Sequence, residues 1–211
     1  MSLEQARPAL ARSDDRASRL RRYYAAWAAT YGDPSDDGWF ARIRSRERRL
    51  VEELLALAGS ESILDAGCGA GVHAKPLASR GHEVWAVDLV PEMVARVASH
   101  VHRACVADLE QLALGRQFDR VMCLGVLEFV ADPGAVMRAL ADHLVPDGVL
   151  VVLVPRPTLA GRIYQLTKAW HGVSARPISA AELTRLGACA GLARTAVRYP
   201  FVHNVVMAFR R

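Results

Sequence analysis

At 211 residues the chain has room for one compact domain and an extension. A chain of this size buries about 70–75% of its unfolded surface, so it needs no disulfide or metal staple. Its 52% hydrophobic and 23% charged residues exclude a disordered, fibrous or coiled-coil chain. The net charge of +5 is lopsided: residues 1–50 hold eleven Arg against seven Asp or Glu, and only Lys75 and Lys168 are lysines. A basic arm of this kind suits nucleic acid, an anionic ligand or simply a solvated helix face. No apolar run approaches the roughly 18 residues of a membrane span. The polar N-terminus has no apolar segment of a secretory signal. Cys68, Cys105, Cys123 and Cys189 are scattered without C-x-x-C spacing, which predicts free thiols, no metal site and a cytoplasmic location.

In chain order, residues 1–20 are polar and expected to be mobile. Residues 19–31, RLRRYYAAWAATY, predict a helix on which Tyr23, Trp27 and Tyr31 share one face. A breaker-dense turn follows over 32–38. A second helix runs through ARIRSRERRLVEELLALA, with Ile43, Leu50, Leu54 and Leu57 at helical spacing. From residue 61 strands alternate with helices. Strands are predicted near 62–66, 83–88, 103–107, 118–124 and 148–154, and helices near 72–80, 91–100 and 133–144. Asp132-Pro133 supplies a cap and a first-turn proline for the last of these helices. Continuously apolar strands separated by helices predict a parallel sheet covered on both faces, a doubly wound α/β domain. Residues 155–178 form a Pro-broken, aromatic and basic insertion. Ser179 and Glu182 form a capping box. RTAVRYPF and NVVMAFRR then predict an antiparallel hairpin. This divides the chain into a helical arm, 1–58, and a domain, 59–211.

The segment Asp65-Ala66-Gly67-Cys68-Gly69-Ala70-Gly71 leaves the first strand and opens a helix. Its glycines let backbone approach a ligand, and the helix N-terminus favours an anionic group. Asp88 ends the second strand, where an acidic side chain meets a ribose diol in this topology. A dinucleotide loop needs a third glycine where Val72 stands.

The D-x-G-x-G-x-G form resembles the first motif of class I S-adenosylmethionine-dependent methyltransferases. VDLVPEMV, Ala107-Asp108-Leu109, FDRVMCLGVLEFVADP and HLVPDGVLVV resemble the family's later motifs in order, with Asp147 where the last usually has glycine. The resemblance spans 43–211 and implies a seven-stranded Rossmann-like sheet and S-adenosylmethionine as cofactor. It implies that Gly67, Cys68, Gly69 and Gly71 form the loop passing under the methionine moiety, with Asp65 orienting its amino group. Asp88 would hold the ribose hydroxyls, Leu89 and Met93 would flank the adenine, Asp108 would accept from its amino group, and Leu109 would lie against the ring. Leu124 and Gly125 would line the path beside the sulfonium.

For the acceptor, the nucleic-acid motif (N/D)-P-P-(Y/F) is absent where Leu124-Gly125-Val126-Leu127 stands. An RNA enzyme using the Arg-rich arm is therefore a lesser alternative to a small apolar or aromatic metabolite methylated on oxygen, carbon or nitrogen. The fourth strand ends in Gly-Val-Leu-Glu128-Phe129, with Phe129 in place of a histidine common among relatives. The WAATYGD segment is similar to the entry of magnesium-protoporphyrin O-methyltransferases, which keeps a porphyrin carboxylate open as acceptor. Tyr23, Tyr24, Trp27 and Tyr164 are candidate acceptor contacts, while Lys168, Trp170 and His171 also lie in the insertion where this family shapes its pocket. His203, Tyr31 and Glu128 are candidate bases. His73, His82, His100, His102 and His143 read as surface or helix-end residues. The sequence leaves the oligomeric state, monomer or homodimer, undecided.

Overall fold

The computed structural model describes the backbone of residues 3–31 and 39–211 and the side chains of 15–31 and 45–211. The turn expected over 32–38, and the Ile43 side chain, lie outside the described residues. Strands β1 (Ser62–Ala66), β2 (Glu83–Asp88), β3 (Arg103–Val106), β4 (Phe118–Leu124) and β5 (Leu144–Pro155) follow the predicted apolar runs closely. Strands β6 (Ala193–Arg198) and β7 (Asn204–Arg210) form the expected hairpin. The seven strands lie in the order β3-β2-β1-β4-β5-β7-β6. β1 to β5 are parallel, and β7 runs antiparallel to both neighbours.

Both faces of the sheet are covered, which is why its strands read as unbroken apolar runs. Leu150, Val152 and Val154 of β5 join a core with α5 (Pro133–Asp142) and α7 (Ala180–Cys189). Val149 and Val151, one position out of phase, join the opposite core with α2 (Trp39–Leu55) and α3 (Ala74–Ser79). The predicted caps form: Asp132 accepts from Ala135 N–H at the start of α5, and Ser179 from Glu182 N–H at the start of α7. Arg120 of β4 donates to the Leu55 and Ala56 carbonyls, closing the C-terminus of α2, and pairs with Glu61 at 2.6 Å. Asp147 adopts φ +62°, so the left-handed turn that glycine fills in the resembling motif is made here by a residue type that tolerates it.

Four expectations need correction. Helix α1 runs Leu3–Trp27, through the segment read as a mobile tail. Its Ala- and Arg-rich composition favours helix, and Asp15–Arg19 adds an i,i+4 ion pair at 2.9 Å. α1 ends at Trp27, so Tyr31 lies beyond the helix and does not continue a Tyr23–Trp27 face. The insertion contains α6 (Leu159–Trp170), capped by Thr158, which accepts from Gly161 N–H. Its apolar face points outward and so gave no core-facing pattern. Finally, His82 is buried rather than at the surface, while His143, also buried, stands at a helix end as expected, as the C-cap of α5. His82 Nδ1 accepts from Glu61 N–H, and His143 Nε2 accepts from Leu114 N–H while its Nδ1 sits 2.6 Å from the Ala139 carbonyl, so each ties a loop to the sheet.

Gly187 of α7 lies flat on Phe209 of β7: a Cβ there would stand 2.4 Å from Phe209 Cε1. Gly187→Ala should therefore destabilise the fold by about 1–3 kcal/mol. For a chain of this size each kcal/mol is about 2–4 °C in Tm. An unchanged Tm in thermal denaturation would remove this contact from the account of α7 packing.

Candidate functional site

The sheet opens where β1 has β2 on one side and β4 on the other. Helices leave those neighbours toward opposite faces, and a cleft remains at the carboxyl ends of the strands. The glycine loop forms its floor. Gly67 and Cys68 N–H donate to the Val87 carbonyl at 2.7 and 2.9 Å, which ties the loop to β2. Gly67 has φ +86°, and a Cβ there would meet Val126 Cγ2 at 2.2 Å. Gly69 has φ +50°, and a Cβ there would stand 3.1 Å from the Tyr31 ring.

Asp88 is the hinge of this floor. One carboxylate oxygen accepts from Gly69 N–H at 2.8 Å, the other from Val90 N–H at 2.9 Å. Burial pushes its carboxyl above the ordinary range, against these hydrogen bonds. Asp65, only 3% exposed, has its carboxyl pushed up to about 8, chiefly by burial and then by the Asp88 charge, while Ala74 N–H partly offsets both.

Gly67, Gly69, Asp88, Leu89, Met93, Asp108, Leu109, Leu124 and Gly125 all line the cleft. Met93 closes its buried end and belongs to a small core with Ala28, Ala70 and Val90. Asp108 also accepts from Glu110 N–H at 3.0 Å. Three candidates stand off the surface. Asp65 lies beneath the loop. The Cys68 thiol is turned to the Gly69 carbonyl and raised by burial. Gly71 gives close passage to α4 (Pro91–Val97): its Cβ would be 2.6 Å from Val97 Cγ2.

The remaining wall comes from the arm. Leu20, Tyr24 and Tyr31 face Phe129 and Val130 across the cleft. Arg96 of α4 holds the arm there. It donates to the Ala28 carbonyl, just past the C-terminus of α1, and, at 2.7 Å, to the Tyr31 carbonyl. Tyr24 meets Tyr31 and Phe129 edge-to-face, at 5.9 Å in each case. Leu20, Val126 and Val130, and the arm-tethering Arg96, carried no sequence signal.

Behind Tyr24 lies a second cluster. Lys168 Nζ sits 3.4 Å from both the Tyr23 and Tyr24 hydroxyls and stacks over the Tyr23, Tyr24 and Tyr164 rings at 4.8, 5.1 and 5.6 Å. Glu128, 2% exposed, has its carboxyl pushed up to about 8 by burial, partly offset by its backbone, the Lys168 charge and a Tyr164 hydrogen bond. Its Oε2 has no hydrogen-bond partner. Burial is also the main cause that raises the Tyr24 and Tyr164 hydroxyls. Tyr23 and Tyr164 thus flank the cleft rather than line it. Trp27 is exposed, tilted against Tyr23 at 6.3 Å. His203 lies in the β6–β7 turn beside Phe201, its carbonyl accepting from Arg156 N–H, and does not line the cleft.

Residues 40–197 match a family model described as a methyltransferase domain. Ubiquinone biosynthesis O-methyltransferase from Xanthomonas euvesicatoria is 39% identical over 108 residues, covering 47% of this chain and 45% of that protein. The Xylella fastidiosa protein of the same name is 33% identical over 138 residues, covering 60% and 54%. The chain thus spans about half the length of these curated relatives. Among solved structures, magnesium protoporphyrin IX methyltransferase from Synechocystis, with S-adenosylhomocysteine bound, superposes with a TM-score of 0.71 at 21% identity, covering 92% of this chain and 99% of that one. The 1,6-didemethyltoxoflavin N1-methyltransferase of Burkholderia thailandensis gives 0.71 at 20% identity, covering 94% and 90%. At these identities the structural likeness speaks for the fold. With the family match over most of its length and the motif loop at the sheet opening, this chain belongs to the class I S-adenosylmethionine-dependent methyltransferases.

Proposed function

We propose that the chain transfers a methyl group from S-adenosylmethionine to a hydroxyl oxygen of a small, largely apolar aromatic acceptor. The observation that carries this reading is the single cleft in which the glycine loop and Asp88 face an aromatic wall of Tyr24, Tyr31 and Phe129, with the buried Glu128 behind it. Quinone-type rings suit such a wall, and the names of the curated relatives agree with an O-methylated quinone precursor. The structural likeness to the porphyrin enzyme supports the fold and adds nothing on a porphyrin acceptor. An RNA acceptor draws no support from the largely apolar lining of the cleft.

The cleft fits the cofactor on its own terms. Gly67 and Gly69 are compact where a side chain would fill the floor, and Asp88 presents its carboxylate at the cleft surface. In this reading Asp88 holds the ribose hydroxyls. Leu89, Met93 and Leu109 enclose the adenine, and Asp108 accepts from its amino group. Gly67 and Gly69 pass under the methionine part, and Asp65 supports the amino group from beneath. Leu124 and Gly125 flank the transfer path. Once bound, the cofactor supplies an already activated methyl electrophile. The protein's part is to align the acceptor oxygen with that methyl and to exclude water. Tyr24, Tyr31 and Phe129 do this as rigid walls.

A phenolic acceptor must also lose its proton. Among the three candidate bases we assign Glu128. Neither Glu128 nor His203 lines the cleft, but Glu128 Oε1 would stand 3.8 Å from a Cβ on the cleft-lining Gly125, whereas His203 lies in the β6–β7 turn, and the Tyr31 hydroxyl would need its own proton removed first. A carboxylate whose conjugate acid titrates near 8 is far better matched to a phenol, with an ordinary value of about 10, than an exposed carboxylate would be.

Two outcomes check these roles. Asp88→Ala loses a charge-assisted contact worth about 1.5–3 kcal/mol. Calorimetry should therefore show S-adenosylhomocysteine bound about 10–100-fold more weakly. Because Asp88 also holds Gly69 N–H, Tm is measured beside affinity. Unchanged affinity in a folded variant would reject the ribose assignment. For Glu128 the active form is the carboxylate, so kcat should climb as pH rises through about 8. Glu128→Gln should lower kcat by about 10²–10⁴-fold and abolish that climb, while leaving S-adenosylhomocysteine affinity nearly unchanged. A loss below about fivefold would clear Glu128 of proton removal. Catechol or a hydroquinone serves as test acceptor.

A further inference from the structure

Helix α6 turns its polar side inward. Gly161, Tyr164 and Lys168 face the body of the protein, where Lys168 meets Tyr23, Tyr24 and Phe129. Leu159, Ile163, Leu166 and Trp170 stand on the outside, 78%, 55%, 69% and 89% exposed. At about 100° per residue these four fall within an arc of about 60°. A second exposed apolar pair lies near the start of the helix. Exposed Tyr199 and Val202 of the β6–β7 turn are tied to it by Arg156, whose guanidinium lies 4.6 Å from the Tyr199 ring centre and donates to the Val202 carbonyl at 2.8 Å. Soluble monomers rarely leave such a contiguous apolar face open to water.

The segment that carries this face is basic: residues 148–211 hold nine Arg or Lys and a single acid, Glu182, although Arg194, Arg210 and Arg211 lie at the other end of the β6–β7 hairpin and Glu47 meets Asn204 beside the turn. Glu182 is engaged by Arg176 at 2.8 Å. Arg162 and Arg198 are exposed beside the stripe. We propose that α6 and the β6–β7 turn form a docking face for an anionic lipid bilayer, with α6 lying in the interface plane and Trp170 at headgroup level. A second copy of the same face would bring like charges together around its apolar stripe. An anionic bilayer supplies apolar depth and countercharge at once. Among the described residues no helix is long and apolar enough to cross a membrane, so the contact is peripheral. The inner face of the same helix carries Tyr164 and Lys168, so docking would place the acceptor side of the cleft next to the bilayer. The docking face itself does not depend on the acceptor or on Glu128.

The test is sedimentation of the full chain, saturated with S-adenosylhomocysteine, with vesicles of equimolar phosphatidylglycerol and phosphatidylcholine or of phosphatidylcholine alone. We expect partition onto the anionic vesicles at low salt, a blue shift of tryptophan emission, and at least about tenfold weaker partition onto the neutral ones. Leu166→Gln with Trp170→Ser should cut anionic partition by at least about tenfold, with S-adenosylhomocysteine affinity and Tm retained. Absence of partition overturns the proposal. So does equal partition of the double variant, which would mean adsorption through scattered arginines. A concentration-dependent dimer that the double variant abolishes, without vesicle binding, overturns it in favour of a protein interface.

Discussion

The structure turns on the change of direction at β1. β2 and β3 extend the sheet to one side of it, and β4 and β5 to the other. The crossovers therefore diverge at the end of β1, and neither crossover helix covers that point. The strand-end residues that the cleft brings together follow from this. Gly67 and Gly69 come from the loop after β1, Asp88 from the end of β2, Asp108 from beyond β3, and Leu124, Gly125, Val126, Phe129 and Val130 from the end of β4 and the segment after it. Four separate strand ends deliver their side chains to one place because they are parallel. The antiparallel β7 and β6 widen the sheet on the far side and carry His203 away from the cleft.

An uncovered strand end would be wet, and methyl transfer demands the opposite. The arm resolves this. Arg96 fastens the end of α1 over the opening, and Tyr24, Tyr31 and Leu20 complete the wall. Desolvation then acts on each nearby acid. Burial is the largest cause of the raised Asp65, Asp88 and Glu128 carboxyls. The cost falls on the fold. Unfolded carboxyls have released their protons well below pH 8, whereas folded Asp65 and Glu128 hold theirs to about 8. The native state thus binds more protons in that window, and the stability these groups contribute is lost as pH rises through it. A protein that keeps such groups buried spends stability on them.

The parallel strands and the glycine loop were readable because their signals are local: unbroken apolar runs, caps at Asp132 and Ser179, and glycines at fixed offsets. Nine of the twelve residues expected around the cofactor line the cleft, and Asp65, Cys68 and Gly71 do not. What stayed hidden depends on contacts between distant segments. Arg96 reads as one more surface arginine until Ala28 and Tyr31 are brought to it. Lys168 gains its surroundings from residues nearly 150 positions away. α6 was missed because a helix with Lys and Gly inward and Leu, Ile and Trp outward inverts the pattern by which surface helices are recognised.

That inversion links the two halves of the site. Tyr164 and Lys168 need α6 only as a strap across the aromatic cluster, and that role places no demand on the strap's outer face. A strap with a polar exterior would serve equally well and be more soluble. Tyr164 donates to Glu128, Lys168 bridges Tyr23 and Tyr24, and Tyr24 packs on Phe129. The cluster is therefore a continuous set of contacts from the outer helix to the wall of the cleft. Whatever holds α6 from outside bears on the position of Tyr24 and on the charge felt by Glu128. Lys168 lowers the Glu128 carboxyl against burial, so a shift that draws the ammonium away raises it further and leaves less carboxylate at neutral pH.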